Sequence, residues 1–226
     1  SWRKLIAFKK QKRYYYYNLD ASALAHCAPE LGIAFWNTVA NEVSCYGVDY
    51  LAARWGLAAL PGLTLRIQSA PTEHFHLALN FASTELASSA ARAFAKSKSL
   101  RKMGRNWLLK FPEHAACGLI AIALGKKSEA RDCAASALRF LAQQGQTGLL
   151  TEVASRYQDP AVEHALHAML NENPLDRYPA KRPALPEFWQ AQDWQRPQLR
   201  NGRALSDQAV QMLGTMMMFP TNEEIY

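Results

Sequence analysis

Six histidines, four cysteines and one long run of uncompensated cations are the residues of this chain that could carry chemistry. His74 and His76 form an HxH pair, and His164 and His167 stand three apart on a stretch with helical periodicity. Either spacing can offer two imidazoles to a metal, but zinc takes three or four ligands with a consistent second shell. No cysteine or carboxylate cluster accompanies either pair, so both read as surface or inter-repeat histidines, and no metal is expected. His26-Cys27 and Glu113-His114 each resemble half of a catalytic arrangement, yet sequence-adjacent side chains do not face together on a helix. No Walker loop, GxGxxG, GxSxG or HExxH occurs. The expectation is therefore no cofactor and no independent active site; the weaker alternative is part of an enzyme completed by residues outside this chain.

The cations are the sharper feature. No acidic residue stands between Glu85 and Glu113, whereas Arg92, Lys96, Lys98, Arg101, Lys102, Arg105 and Lys110 all fall in that interval. Helical angles place Arg101, Lys102 and Arg105 opposite an apolar stripe, so Lys96, Lys98, Arg101, Lys102 and Arg105 are candidates for meeting nucleic-acid phosphates without reading sequence. Trp107 lies on the stripe itself and is not available to stack on a base. The plainer reading is a solvated face near acids of a neighbouring repeat. A second cluster, Lys9, Lys10, Lys12 and Arg13, precedes Tyr14 to Tyr17. Four consecutive tyrosines point in all directions, so packing of some of them against the first helices is expected rather than one stacking platform.

The elements that carry these residues read as helices, and they repeat. Leu100, Met103, Trp107, Leu108 and Phe111 are spaced i, i+3, i+7, i+8, i+11. Thirty positions later Ala130, Cys133, Ala134, Ala137, Leu138 and Leu141 follow the same stripe, and Gly118-Leu119 finds its match in Gly148-Leu149. At 3.6 residues per turn each set makes one buried face, and a hairpin that cannot bury its face alone must stack on a copy. Asp159-Pro160 predicts a helix start with Val162, Ala165, Leu166 and Met169 inward. Ser83-Thr84-Glu85 opens another helix, with Leu86, Ala90, Ala93 and Phe94, and Thr72-Glu73 a short one through Phe75, Leu79 and Phe81. Gly125, Gly145 and the 171–174 run punctuate ends. Residues 20–59 read as helices broken near Pro29 and at Ser44–Gly47, with a further break at Pro61-Gly62. No segment alternates long enough for a strand.

Composition shifts at Pro174. Residues 174–205 hold five prolines and two tryptophans, which forbids a long helix and favours an extended segment, with Leu185, Phe188, Trp189 and Trp194 as anchors along the repeats. Ser206 and Asp207 then start a last helix with Val210, Leu213, Met217 and Met218 as its buried face. The organisation expected is a helical-repeat region over 1–173, clearest at 84–171, a proline- and tryptophan-rich segment at 174–205, and a helix at 206–226 opening the next domain.

With 226 residues, 49% hydrophobic and 20% charged, the chain has the composition of a globular protein able to bury a sizeable core. Its net charge of +7 favours anionic partners without bearing on the fold. Cys27, Cys45, Cys117 and Cys133 form no CxxC pair and read as free, mostly buried thiols of a reducing, cytoplasmic setting. No apolar run reaches the roughly 18 residues of a membrane helix, and SWRKLIAFKK has no continuous apolar core of a signal peptide. The chain lacks an initiator methionine and reads as an excised piece of a longer protein, with Ser1 a cloning remnant.

Three separated stretches together resemble a known family. NWLLKFPEHAACGLIAIALGKKSEARDCAASALRFL, NPLDRYPAKRPALPEFW and RPQLRNGRALSDQAVQMLGTMM are similar, in that order, to the large bacterial proteins called molybdate metabolism regulators, which often carry a Trp-Gly-Arg-named domain near their start. The last motif rests on Arg200, Gly202, Leu205, Ala209 and Val210. The resemblance covers about residues 85–220 and implies an internal fragment, helical repeats followed by the start of a C-terminal domain of unknown function; it implies no catalytic residue. The joint expectation is an all-α, HEAT-like or armadillo-like right-handed stack of helical hairpins. Its leading role is a non-catalytic scaffold or interaction module of a larger regulatory protein, partnered by other domains of the same chain or by another protein. Nucleic-acid binding is the alternative.

Overall fold

Small residues decide how closely the helices of this protein approach one another. The computed structural model describes residues 18–40, 44–172 and 184–218. The expectations for Lys9, Lys10, Lys12, Arg13 and Tyr14 to Tyr17, for 174–183 and for the last residues from 219 onward lie outside them. The protein is all-α, and the described residues up to Leu170 and those from Asn171 onward form two compact units.

The first unit opens with α1 (Ala21–Ala25), whose start is capped by the Asp20 carboxylate accepting from the Ser22 N–H at 2.9 Å. Then come α2 (Pro29–Val39), α3 (Val48–Trp55), a 3₁₀ turn (Gly56–Ala59), α4 (Leu60–Ser69) and α5 (Pro71–Ala78). Trp36 of α2 is fully buried, its Nε1–H donating to the Ala59 carbonyl at 2.9 Å. Pro61-Gly62 does not break the chain as expected. Pro61 sits in the first turn of α4, where no N–H is required, and a Cβ on Gly62 would collide with the Trp36 indole. The break lies earlier, at Gly56, whose φ of +52° suits glycine. The sequence pattern also missed β1 (Asn18–Asp20) and β2 (Ser44–Tyr46), paired in parallel with Asn18 opposite Ser44. Three residues are too few for alternation to register.

The remainder of the unit is the repeat region. A 3₁₀ turn (Thr84–Leu86), begun by Ser83 accepting from the Glu85 N–H, leads into α6 (Ala87–Lys96). There follow α7 (Arg101–Lys110), α8 (Pro112–Ala123), α9 (Glu129–Leu141), a widened turn (Ala142–Gln146) with Gly145 at φ +84°, α10 (Thr147–Ser155) and α11 (Pro160–Leu170). Helix α6 packs on α7, α8 on α9 and α10 on α11, while α6 with α9 and α8 with α10 join successive hairpins. The sequence copies, 101–123 and 131–153, are thus cut one helix out of phase with the packed hairpins. Their core positions still correspond: Trp107 and Ala137, Leu108 and Leu138 are all fully buried. Ala130 departs from the pattern. It is exposed, because the first turn of α9 faces an open pocket beside α6.

Within the repeat region two helices come together closely at Gly104. A Cβ there would lie 2.6 Å from the Phe94 nitrogen and 2.9 Å from the Ala90 carbonyl oxygen, so α6 and α7 meet backbone to backbone. Gly118 of α8 does the same against Thr84 and Ala87. One continuous core results, running from Ala21 to Leu166.

In the second unit, α12 (Asp207–Met217) starts at Ser206, whose hydroxyl accepts from the Ala209 N–H, and Asp207 pairs with Arg196 at 2.5 Å. Trp189 packs on Trp194 with ring centroids 4.8 Å apart and lies against Gly214. Of the four expected anchors, Leu185 and Trp189 are half-buried, but Phe188 and Trp194 are 72% and 45% exposed. The buried face of α12 is also different from the one expected. Val210 and Gly214 point inward, with the Trp189 ring resting on the glycine, whereas Leu213, one position away and so turned by about 100°, is exposed, as is Met217.

Gly104→Ala is expected to lower stability by about 1–3 kcal/mol, since a methyl group must push α6 from α7. Gly148→Ala, in α10 with nothing near its added Cβ, is expected to be neutral or to stabilise by up to about 1 kcal/mol. Urea unfolding of both variants checks the contrast.

Candidate functional site

The cations of the repeat region divide into two classes. One class is held by the fold. Arg92 pairs with Glu129 at 3.4 Å. Lys110 donates to the Leu79 carbonyl at 2.9 Å, Arg131 to Ala123 and Arg139 to Met169. Arg156 bridges Glu113 at 2.6 Å and Glu152 at 2.9 Å, tying α10 to α8. That bridge holds the Glu113 carboxyl below its ordinary range, first through the hydrogen bond and then through charge.

The other class comprises most of the expected anion-binding residues. Lys96 ends α6, Lys98 stands in the turn after it, and Lys102 and Arg105 lie three apart on the outer face of α7; all four are exposed. None of them has an ion-pair partner among the described residues. Arg105 is poised 5.6 Å over the Phe140 ring, which itself packs on Phe94 at 4.8 Å. Arg101 differs from the expectation. It is half-buried and engaged elsewhere, so the outward face is narrower by one residue. Trp107 is where its spacing put it: fully buried, its Nε1–H donating to the Phe81 carbonyl at 3.2 Å.

The histidines resolve unevenly. His76, His164 and His167 are exposed, as expected of surface residues. His74 is not: it is 7% exposed, beside an equally buried Arg66 whose Nη2 lies 3.1 Å from its Nε2. A guanidinium only donates, so this Nε2 accepts and the ring is neutral. The Glu73 carboxylate, 3.6 Å away, is beyond hydrogen-bonding range. Burial first, then the Arg66 charge, holds the His74 pKa below its ordinary value, with Glu73 partly opposing. Nothing in the sequence announced this pair, because Arg66 and His74 sit on different helices, α4 and α5.

Cys45 and Cys133 are buried, Cys117 is half-buried and Cys27 exposed; none of the four is in a disulfide. Cys133 lines an open pocket of about 400 Å³ with Ser88, Arg92, Ser128, Glu129 and Ala130. Burial pushes its thiol up, away from the nucleophilic thiolate. No group of three or more His, Cys, Asp or Glu side chains suited to a metal occurs among the described residues, and no helix among them is long and apolar enough to cross a membrane.

The chain is similar to a protein of Escherichia coli (strain K12) described as the uncharacterized protein YehI, at 36% identity over 229 residues. The match takes in 98% of this chain but 19% of that protein, so the chain spans less than a fifth of the curated relative it matches. No family model and no solved structure matches.

The unfolded chain binds the His74 proton more tightly than the folded chain does. Stability is therefore full above the ordinary imidazole pKa of about 6.5 and falls as pH drops below it toward the depressed folded value. The urea midpoint is expected to decline over that window, and His74→Gln is expected to flatten the decline.

Proposed function

We propose that this chain is a non-catalytic interaction module, a stack of helical hairpins within a larger bacterial regulatory protein, which presents its surface to other domains of the same chain or to a protein partner. The observation that carries the reading is the order of packing. From α6 to α11 each helix packs on its near neighbours in sequence around one core, the arrangement that gives repeat proteins long surfaces for partners. Large side chains remain outside that core in the first unit: Tyr46 and Tyr50 at β2 and α3, and Leu57 in the turn that follows, are exposed. Aromatic side chains of this kind supply the anchors of protein interfaces. Similarity over nearly its whole length to part of a longer bacterial protein supports reading the chain as a segment. The regulatory placement rests on the resemblance to molybdate metabolism regulators, and four cysteines outside disulfides favour a reducing, cytoplasmic setting.

Affinity capture with the full-length parent protein is expected to return a reproducible partner that the present chain alone retains. Tyr50→Ser combined with Leu57→Ser is expected to weaken that capture by about 10-fold or more without lowering the melting temperature. Retention only by segments outside this chain overturns the proposal.

A further inference from the structure

The unpaired cations at the α6–α7 corner point to a second kind of partner, beyond the interaction-module reading and independent of it. We infer that Lys96, Lys98, Lys102 and Arg105 form a ridge that binds the phosphate backbone of a nucleic-acid duplex, without reading its sequence.

Three observations carry this. The first is the contrast between cations. Arg92, Lys110, Arg131, Arg139 and Arg156 are held by a carboxylate or a helix-end carbonyl, whereas the ridge cations have no ion pair among the described residues. The fold ties the first set to carbonyls and carboxylates, whereas in the second Arg105 lies over the Phe140 ring.

The second is placement against local preference. The first turn of α7 contains no acidic residue, yet Lys102 stands in it beside Arg101. A cation at the positive end of a helix is unfavourable, and an exposed acid is the usual choice there. Residues that break a local rule without a structural return are where function is to be sought.

The third is what the ridge lacks. Protein interfaces are depleted in lysine and are organised around buried aromatic or arginine anchors. Here three of four ridge cations are lysines. The nearby aromatics are withdrawn, Trp107 into the core and Phe140 beneath the Arg105 guanidinium. Compact ammonium groups suit phosphates, and with Trp107 buried and Phe140 covered by Arg105 neither ring offers the stacking platform that single strands use. The partner favoured is thus a duplex, held through its backbone.

Anisotropy titration of the chain with a labelled mixed-sequence duplex tests this. Four phosphate contacts predict a log–log salt slope of about −3.6, or roughly 100-fold weaker binding between about 50 and 200 mM salt. Lys98→Glu with Lys102→Glu is expected to reduce that slope by about 1.8 and the affinity at about 50 mM salt by at least 10-fold, with unchanged melting. Lys126→Glu with Lys127→Glu makes the same change in net charge in the turn before α9. That turn leads to Ser128, which shares a pocket with Ser88 at the other end of α6, so this variant is expected to bind within about threefold of wild type. No binding of the wild-type chain at low salt overturns the inference, as does an equal loss in both double variants. Tighter binding to polyglutamate or to phosphatidylserine vesicles than to the duplex also overturns it, in favour of an acidic protein or a membrane surface.

Discussion

The contact on which the repeat region depends is the meeting of α6 and α7 at Gly104, where one backbone rests on another with no side chain between them. That closeness sets the depth at which α7 lies. At that depth the Trp107 indole is fully buried and still finds a partner for its N–H in the Phe81 carbonyl, just before α6 begins. A buried indole nitrogen left unpaired is costly, so the tryptophan fixes the position of α7 along the stack as well as its depth. The opposite face of α7 is thereby committed to solvent, with Lys102 and Arg105 on it.

The same device recurs at the other end of the first unit. Trp36 is buried in α2, donates to the Ala59 carbonyl, and lies against Gly62 of α4. In the second unit Trp189 rests on Gly214 of α12. Large flat rings laid against glycines recur in both units, and alanine-rich α6 lets three neighbours approach it. Packing of this kind uses volume rather than hydrogen bonds to choose a partner face, which is why the buried basic side chains, Arg66 and His74, stand out among the described residues. They are buried together, and the neutrality of the ring follows from the donor facing it.

Charge is distributed according to the same geometry. Cations that reach a helix-end carbonyl or a carboxylate of the next hairpin become part of the stack, as Arg156 does by linking Glu113 and Glu152. Among the described residues Lys96, Lys98, Lys102 and Arg105 at the α6–α7 corner reach neither, and their charge faces the surroundings. Two classes of surface therefore coexist on one stack: exposed aromatic and aliphatic side chains near its start, and a lysine-rich ridge near its middle.

By itself the sequence determined the helical class, the thirty-residue repeat, the starts at Ser83, Asp159 and Ser206, and the burial of Trp107, Leu108 and Leu138. All of these follow from short-range physics, the 3.6-residue period and the pairing of orphan amides at helix ends. Only the tertiary structure decided the rest. Which helices pair as hairpins, which face of α12 turns inward, that Ala130 is exposed and Arg101 is not, and that Arg66 meets His74 depend on contacts between residues on different helices. Periodicity within a helix specifies that a face is buried but carries no term for what buries it. Of the ridge, only an acid-free interval and the outward face of α7 were legible. That Lys96, Lys98, Lys102 and Arg105 have no ion pair among the described residues could be known only once their neighbours were in place.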